Sequence, residues 1–493
     1  MRETNFLAWT SQTMVFVFLE NKTYLCALTR LLDNVVKSKS NMRITLLFLS
    51  LLLPVTTVHA EEPLTYRQCI EYAVQHNLNL QKDRLAVESA VQSKREVVGA
   101  LLPQLSASAG FTDNIQKTKI TMPNFVNDML PEPMRDPNAS KYMSVTMGTD
   151  LSANWGLSVA QQVFNYSLIS AVGIAKVAGE MAEAGVEITT NDVVAQTATL
   201  YFNSQVLEYA ISQFDKSIAL MENSEKMMTV FHENGVIRKV DLDQIIVAKT
   251  NMETQKMDLE LALEVQKKLL KLQMGYEMND PIEIEPFDAD RMEEFIYSHS
   301  LSNFDVYEQL PYKMVKYQQD MLGYQKKSAI GEVLPTLVLT GSYSHNYLGD
   351  DFKGPTYQHF PVSMVMLNLK VPIFTGLSKT AKIRKAEIEI RKAQRDEQLL
   401  IQSLTMGYGN ARSQFDQNMR TVEAQHRNKD LAMEVMDVTQ KNYEEGLSSL
   451  SDLLNANSSF IQAQMNYTNA LNKCIEAFIN LKKTDGTIQE IIK

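Results

Sequence analysis

The residue types that usually carry catalysis or bind metals are spread thinly along this chain. Its seven histidines are scattered, and none belongs to a His-Glu-x-x-His pair. The sequence also lacks a Gly-x-Gly-x-x-Gly turn and a glycine-rich loop ending in Lys-Ser/Thr. His345 and His359, near the end of a predicted strand, are expected to be surface residues and not metal ligands. We therefore expect neither enzyme activity nor a cofactor or metal.

Two glycine-centred segments hold the polar residues with the most informative spacing. They read "NGVIRKVD" and "EGLSSLSD", and each has an aspartate six residues after its glycine. Gly235 and Gly446 fit the left-handed position that ends a helix, while Asp241 and Asp452 fit the positive amino end of the next helix. Ser449 with Asp452 forms a capping-box pattern. Taken singly, these residues favour a structural role.

Proline placement predicts long helices on both sides of each glycine break. No proline occurs from 138 to 280 or from 373 to 493, and both spans are rich in good helix formers. Apolar residues recur at intervals of three and four residues from Ser167 to about Phe231, and again from Lys379 to about Tyr443. Each stretch is long enough for a helix of about 100 Å at 1.5 Å per residue. Helical patterning returns after each break, which predicts two long helical hairpins.

The segment "MRITLLFLSLLLPVTTVHA" predicts export of the chain. It has a basic residue at Arg43, an apolar run from 44 to 55 and small residues before Ala60. A transmembrane anchor needs roughly 20 apolar residues, and this run is shorter. We expect residues 1–60 to be a signal region cut after Ala60, with Met42 as the true start.

Four charge-poor stretches alternate apolar with small polar residues, as strands do. They read "LSASAGFTDN", "LSANWGLSVAQQVF", "LVLTGSYSHNY" and "FPVSMVMLNLKVPIF", and predict strands at about 104–121, 143–164, 336–347 and 359–374. Aromatic residues lie in or beside them, among them Trp155, Phe164 and Phe374 as candidates for the membrane interface. Any single strand fits a soluble hairpin as well, but four together in an exported chain favour a membrane barrel.

The chain is an internal duplication. Each half reads helix, strand, loop, strand, long helix, glycine break, helix, which divides it into a first repeat (61–275), an acidic inter-repeat segment (276–300) and a second repeat (301–493). By its composition, the acidic segment fits a solvated linker. The matching positions are Gly99, Leu102, Pro103, Leu105 and Asn114 with Gly331, Leu334, Pro335, Leu337 and Asn346.

Charge and cysteine content narrow the class of partner. The sequence has 58 acidic against 48 basic residues, a net charge of −10, which argues against nucleic acid. After the signal region it keeps Cys69 and Cys474, which fit either one disulfide or two separate buried thiols. Four strands cannot close around a lumen, and open edges in lipid leave backbone groups unpaired, so the barrel must be shared between two or three copies.

The duplicated order, the Leu-Pro pair before each first strand and the glycine breaks together resemble the TolC-type outer-membrane factors over residues 61–493. This resemblance implies an α+β membrane protein, a homotrimer with one 12-stranded barrel set in outer-membrane lipid, and a periplasmic helical tunnel. It also implies an outer-membrane exit duct of a tripartite efflux or type I secretion system. The acidic segment would then join a belt around the middle of the tunnel, with the solvated linker as the alternative. The runner-up is a periplasmic coiled-coil scaffold without channel activity, which leaves the four strands without a purpose.

The resemblance also implies roles for the glycine breaks at the periplasmic tip. Gly235 with Val236, and Gly446 with Leu447, would dock the periplasmic adaptor protein, through which the inner-membrane transporter is reached indirectly.

Further residues beside the breaks would close the tunnel. Asp241 and Tyr443 would belong to the closing contacts, and Asp452 would form an acidic ring at the narrowest point. Ser448 stands where a basic latch residue is often found and Asn455 where a second acidic ring can occur, so a weaker or different latch is expected.

Overall fold

The computed structural model describes residues 63–299, 303–351 and 357–492. The predicted signal region lies outside these residues. The helices are α1 (Tyr66–His76), α2 (Leu78–Gly99), α3 (Phe125–Met129), α4 (Tyr166–Glu233), α5 (Lys239–Met274), α6 (Ala289–Ser298), α7 (Leu310–Gly331), α8 (Ser378–Glu444) and α9 (Leu450–Thr484). The strands are β1 (Gln104–Asp113), β2 (Thr118–Pro123), β3 (Tyr142–Met147), β4 (Leu151–Phe164), β5 (Thr336–Gly349) and β6 (Gln358–Lys370). Short 3₁₀ turns span Glu132–Met134 and Ile488–Ile492.

Helices α4 and α8 dominate the molecule, with 68 and 67 residues, or about 100 Å each. Each turns at its glycine break into α5 or α9, which have 36 and 35 residues. Three lysines of α5 form ion pairs across to α4, so the first hairpin is tied along its length: the pairs are Lys249–Glu225, Lys256–Asp215 and Lys267–Glu208. None of the described helices is both long and apolar enough to cross a bilayer.

One four-stranded antiparallel sheet unites the two repeats. Its order is β1-β4-β5-β6, so the central pair β4–β5 joins one strand from each repeat. In that pair Trp155 lies opposite His345 and Leu157 opposite Tyr343. Strands β1 and β6 form the two edges of this sheet within the chain.

The two strands predicted in the first repeat, at about 104–121 and 143–164, are each divided in two, which corrects the predicted bounds. At the first division Asn114 donates its backbone N–H to the carbonyl of Asp150 and its side-chain amide to that of Thr149, which ends β1. At the second, Gly148 has a φ of +101°, which ordinary residues rarely adopt. Strands β2 and β3 therefore pair in a separate ribbon, with α3 at its tip.

The strand predicted at 359–374 ends earlier than expected. Strand β6 stops at Lys370, and Phe374 lies in the irregular segment between β6 and α8. Pro372 has no N–H with which to continue the ladder, which accounts for the early end.

The acidic inter-repeat segment packs against the main apolar core, so it is not a solvated linker. Its residues Ile282, Ile284 and Ile296 are buried, and Ile284 bridges to Leu64. The core they join lies where both hairpins meet α1 and contains Tyr201.

The two cysteines lie in the same core as separate thiols. Cys69 and Cys474 are both free and buried, and the Cys474 thiol lies 3.2 Å from the sulfur of Met419. Burial raises the pKa of each thiol to about 12, with a smaller contribution from a nearby glutamate. The alternative of two buried thiols is the one that the structure adopts.

Candidate functional site

The two glycine breaks have the same backbone geometry. Gly235 has a φ of +72° and Gly446 a φ of +74°, both in the left-handed region. In each, the following residue donates its N–H to a carbonyl five residues back, at 2.8 Å from Val236 and 2.7 Å from Leu447. This is the Schellman pattern that ends a helix and turns the chain. A Cβ at either glycine would meet no atom within 4 Å, so the requirement for glycine comes from φ and not from crowding.

Each break presents one apolar side chain to solvent. Val236 is 68% exposed and Leu447 is 74% exposed, in equivalent positions directly after the two glycines. Burying an apolar side chain is favourable, so a pair of such residues at hairpin ends suits contact with another molecule.

Asp241 is held by an arginine that the sequence analysis did not single out. Arg238 Nη2 lies 2.9 Å from Asp241 Oδ1 and Arg238 Nε 3.1 Å from Oδ2, while the Arg238 backbone N–H also donates to Oδ2. These donors lower the pKa of the Asp241 carboxyl from its usual value. Arg238 and Asp241 are three residues apart at the start of α5, and this spacing is the sequence signal from which the pair could have been predicted.

Tyr443 links the two hairpins near the breaks. Its hydroxyl lies 2.7 Å from the sulfur of Met228, which is buried in the first hairpin. Burial raises the pKa of Tyr443, and the negative charge of Asp241 raises it further. The structure thus brings Tyr443 within electrostatic reach of Asp241, across the two repeats.

Asp452 caps α9 together with Ser449. Its Oδ2 accepts from the Ser449 backbone N–H at 3.0 Å and from the Ser449 hydroxyl at 2.6 Å, and its own N–H donates to that hydroxyl at 3.2 Å. This is the reciprocal capping box, and it lowers the pKa of the Asp452 carboxyl. Ser448 donates its backbone N–H to the carbonyl of Asn442 and so belongs to the turn itself. Asn455 lies one turn into α9.

The four-stranded sheet has two chemically different faces. The strand register places mainly apolar side chains, including Trp155, on one face. The other face carries small polar side chains on β1, β4 and β5, whereas β6 contributes Phe360, Val362, Met364 and Met366 to it. Members of the apolar face are Leu105, Ala107, Phe111, Leu157, Val159, Leu339, Tyr343, Val365 and Leu367. Members of the polar face are Ser106, Ser108, Thr112, Ser152, Asn154, Ser158, Thr340, Ser342, Ser344 and Asn346.

The predicted interface aromatics take different positions. Trp155 and Phe164 share the apolar face of β4, nine residues apart, or about 30 Å at 3.3 Å per residue, and are 43% and 40% exposed. This separation is close to the height of about 25 Å that apolar barrel bands have. Phe374 is 80% exposed and lies beyond the sheet.

Comparison with known proteins shows what the chain is similar to. The family model described as "Outer membrane efflux protein" matches residues 314–487. Outer membrane protein TolC of Escherichia coli K12 is 20% identical over 439 residues, which cover 86% of this chain and 82% of that protein. Over residues 314–487 the chain is therefore similar to the outer membrane efflux protein family. The predicted resemblance to TolC-type factors is confirmed.

Further similar proteins match over part or most of their length. Outer membrane protein TolC of Vibrio cholerae is 24% identical over 158 residues, so the match spans only 36% of that relative and 32% of this chain. The Campylobacter jejuni CmeC outer membrane channel superposes with a TM-score of 0.68 at 16% identity, covering 86% of each chain. The predicted α+β fold of an efflux channel is thereby confirmed.

Proposed function

We propose that this efflux protein is the outer-membrane exit duct of a tripartite efflux or type I secretion system. It passes small molecules or peptides to the outside from a periplasmic adaptor and an inner-membrane transporter. The observation that carries the proposal is the four-stranded sheet, which has one apolar face, one polar face and two edges open within the chain.

The open edges support a trimer. A sheet in lipid must pair every backbone donor and acceptor, and four strands are too few to curl into a closed barrel. Three copies supply 12 strands, with β1 of one copy beside β6 of the next. The apolar face then lies against lipid and the polar face lines a water-filled lumen.

The tunnel follows from the helices that continue from this sheet. Helix α4 follows β4 almost at once, and α8 follows β6 after a short irregular segment. Their glycine breaks therefore lie far from the membrane, in the periplasm. There Val236 and Leu447 dock the adaptor, while Asp241, Tyr443 and Asp452 surround the entrance. Ser448 stands where a basic latch residue is often found. Arg238 replaces that residue in part, because it supplies a positive charge next to Asp241.

A coiled-coil scaffold is the competing function. It accounts for the hairpins and for the glycine breaks equally well. It gives no role to a sheet with an exposed apolar face, which in water costs free energy in proportion to its area.

Reconstitution into a planar lipid bilayer tests the proposal. The full-length mature protein, extracted with detergent and purified as an oligomer, is expected to give discrete conductance steps that the heat-dissociated monomer does not give. Protein that is released from membranes without detergent, crosslinks mainly as a monomer and yields no steps would establish the scaffold instead.

A further inference from the structure

A pair of histidines lies on the apolar face of the sheet, outside the tunnel and its entrance. His345 is on β5 and His359 on β6. The register sets Tyr347 opposite His359, so His345 and His359 are diagonal neighbours on one face. Their rings face each other, with His345 Nε2 3.3 Å from His359 Nδ1.

We propose that His345 and His359 form a binding site for a divalent late transition metal, with Zn²⁺ as the ion that fits best. Two imidazole nitrogens bound to Zn²⁺ at 2.0–2.1 Å in a tetrahedral arrangement are about 3.3 Å apart. The observed separation of 3.3 Å matches this distance.

The ligand chemistry selects the class of metal. Neutral imidazole suits zinc, copper and nickel, whereas calcium and magnesium require oxygen ligands. Within the described residues there is no cluster of three or more His, Cys, Asp or Glu side chains placed to hold a metal. The site thus offers two protein ligands. Water supplies the remaining positions, because His345 lies level with Trp155, the predicted residue of the membrane interface.

The surroundings of the pair hold the rings in place. Trp155 stacks on His345 with ring centroids 6.2 Å apart and planes 9° apart. Tyr347 lies 4.8 Å from the His345 ring, and Tyr357 lies 6.2 Å from the His359 ring. Packed rings lose less freedom when they bind an ion, which favours a preformed two-nitrogen site over two independent surface histidines.

The alternative is a hydrogen bond between two neutral rings, one donating its N–H to the other. It also accounts for a separation of 3.3 Å, but it predicts no metal binding beyond that of scattered surface histidines. The two interpretations differ in whether both histidines are needed for a single binding event.

Trp155 provides a direct reporter for this test. The sequence has two tryptophans, and the other, Trp9, lies in the predicted signal region. We titrate the detergent-solubilised full-length mature protein with Cu²⁺, which quenches nearby tryptophan, and follow fluorescence. We expect saturable quenching by one Cu²⁺ per chain and no effect of Mg²⁺. A large excess of Zn²⁺ should reverse the quenching, because Zn²⁺ competes for the same nitrogens but binds them more weakly than Cu²⁺.

Single substitutions decide between the interpretations. His345→Gln and His359→Gln should each raise the half-saturating Cu²⁺ concentration at least tenfold, since either removes one of two protein ligands. The control His76→Gln, a histidine of α1 outside the sheet, should leave it unchanged. Before metal is added, tryptophan emission and circular dichroism verify that each variant is folded. His345→Asn and His359→Asn serve as second variants at the same two positions. Quenching that does not saturate, that Zn²⁺ does not reverse, or that survives either substitution would overturn the proposal.

Discussion

Two aspartates near the glycine breaks are committed to local hydrogen bonds, and this limits how they can act in a gate. Asp241 is paired with Arg238, so its charge is largely compensated. The Asp452 carboxylate accepts hydrogen bonds from the Ser449 N–H and from the Ser449 hydroxyl, both through Oδ2. Neither of these donors is charged. Asp452 therefore combines a capping role with a net negative charge at the start of α9.

Replacing Asp452 with asparagine should separate these two roles. The amide oxygen can still accept from Ser449, so we expect α9 to keep its start, while three negative charges disappear from the tunnel entrance of a trimer. Single-channel recordings should then show a weaker preference for cations. The pKa of the Asp452 carboxyl is lowered in the folded protein. In the native protein the cation preference should therefore persist when the pH falls below the usual pKa of an aspartate, and it should disappear only at the lower folded-state pKa.

Asp437→Asn is the matched control for this substitution. Asp437 is an exposed residue within α8, away from the break, so its loss removes the same charge per chain. If both variants alter cation preference equally, or if neither does, Asp452 is a cap and not a filter.

The sheet is the element whose two faces are expected to meet lipid on one side and water on the other. Val365 and Met364 are adjacent on β6, and alternation along the strand sends their side chains to opposite faces. Val365 is 80% exposed within one chain, on the apolar face. In the proposed barrel it contacts lipid, whereas Met364 faces the lumen.

Arginine at these two positions should have opposite consequences for assembly. Val365→Arg places a charge against hydrocarbon at a cost of about 2–4 kcal/mol near the bilayer centre, so the yield of heat-sensitive oligomer should fall. Met364→Arg should assemble normally and change conductance, because water in the lumen solvates the guanidinium. Equal yields from both variants would contradict the assignment of the faces.

At the scale of the whole molecule, the sheet and the glycine breaks lie at opposite ends of the long helices, with the main apolar core between them. A change confined to one end should therefore leave the other end intact. The left-handed glycines allow this to be tested, since no neighbouring atom is crowded by a new side chain there.

The double variant Gly235→Val with Gly446→Val should uncouple export from assembly. Each β-branched residue is strained in the left-handed region, at about 1–2 kcal/mol or more, so the turns that present Val236 and Leu447 should rearrange. We expect a normal oligomer in detergent but reduced export of toxic compounds, measured as lower survival of cells that depend on this protein.

Gly407→Val with Gly409→Val is the control for that experiment. Both glycines lie inside α8 with open space around them, and neither has a positive φ. Wild-type export by the double tip variant, or an equal loss in the control, would argue against docking at the breaks.

The sequence alone determined the duplication, the long helices and the two kinds of strand face. These are local properties of the sequence. Proline placement, apolar periods of 3.6 and two residues, and glycines with an aspartate six residues later can each be recognised without knowledge of the tertiary packing. The same holds for the capping box of Ser449 and Asp452, which involves residues three apart.

Only the tertiary structure decided how distant segments meet. Residues far apart in sequence come together through packing and strand register, and neither leaves a short-range signal in the sequence. Examples are the pairing of β4 with β5, the burial of Ile284 and the bond from Tyr443 to Met228. The division of the predicted 104–121 strand depends on Asn114 reaching Thr149 and Asp150. His345 and His359 face each other because the β5–β6 register aligns them, and no spacing rule on one strand could have predicted that distance.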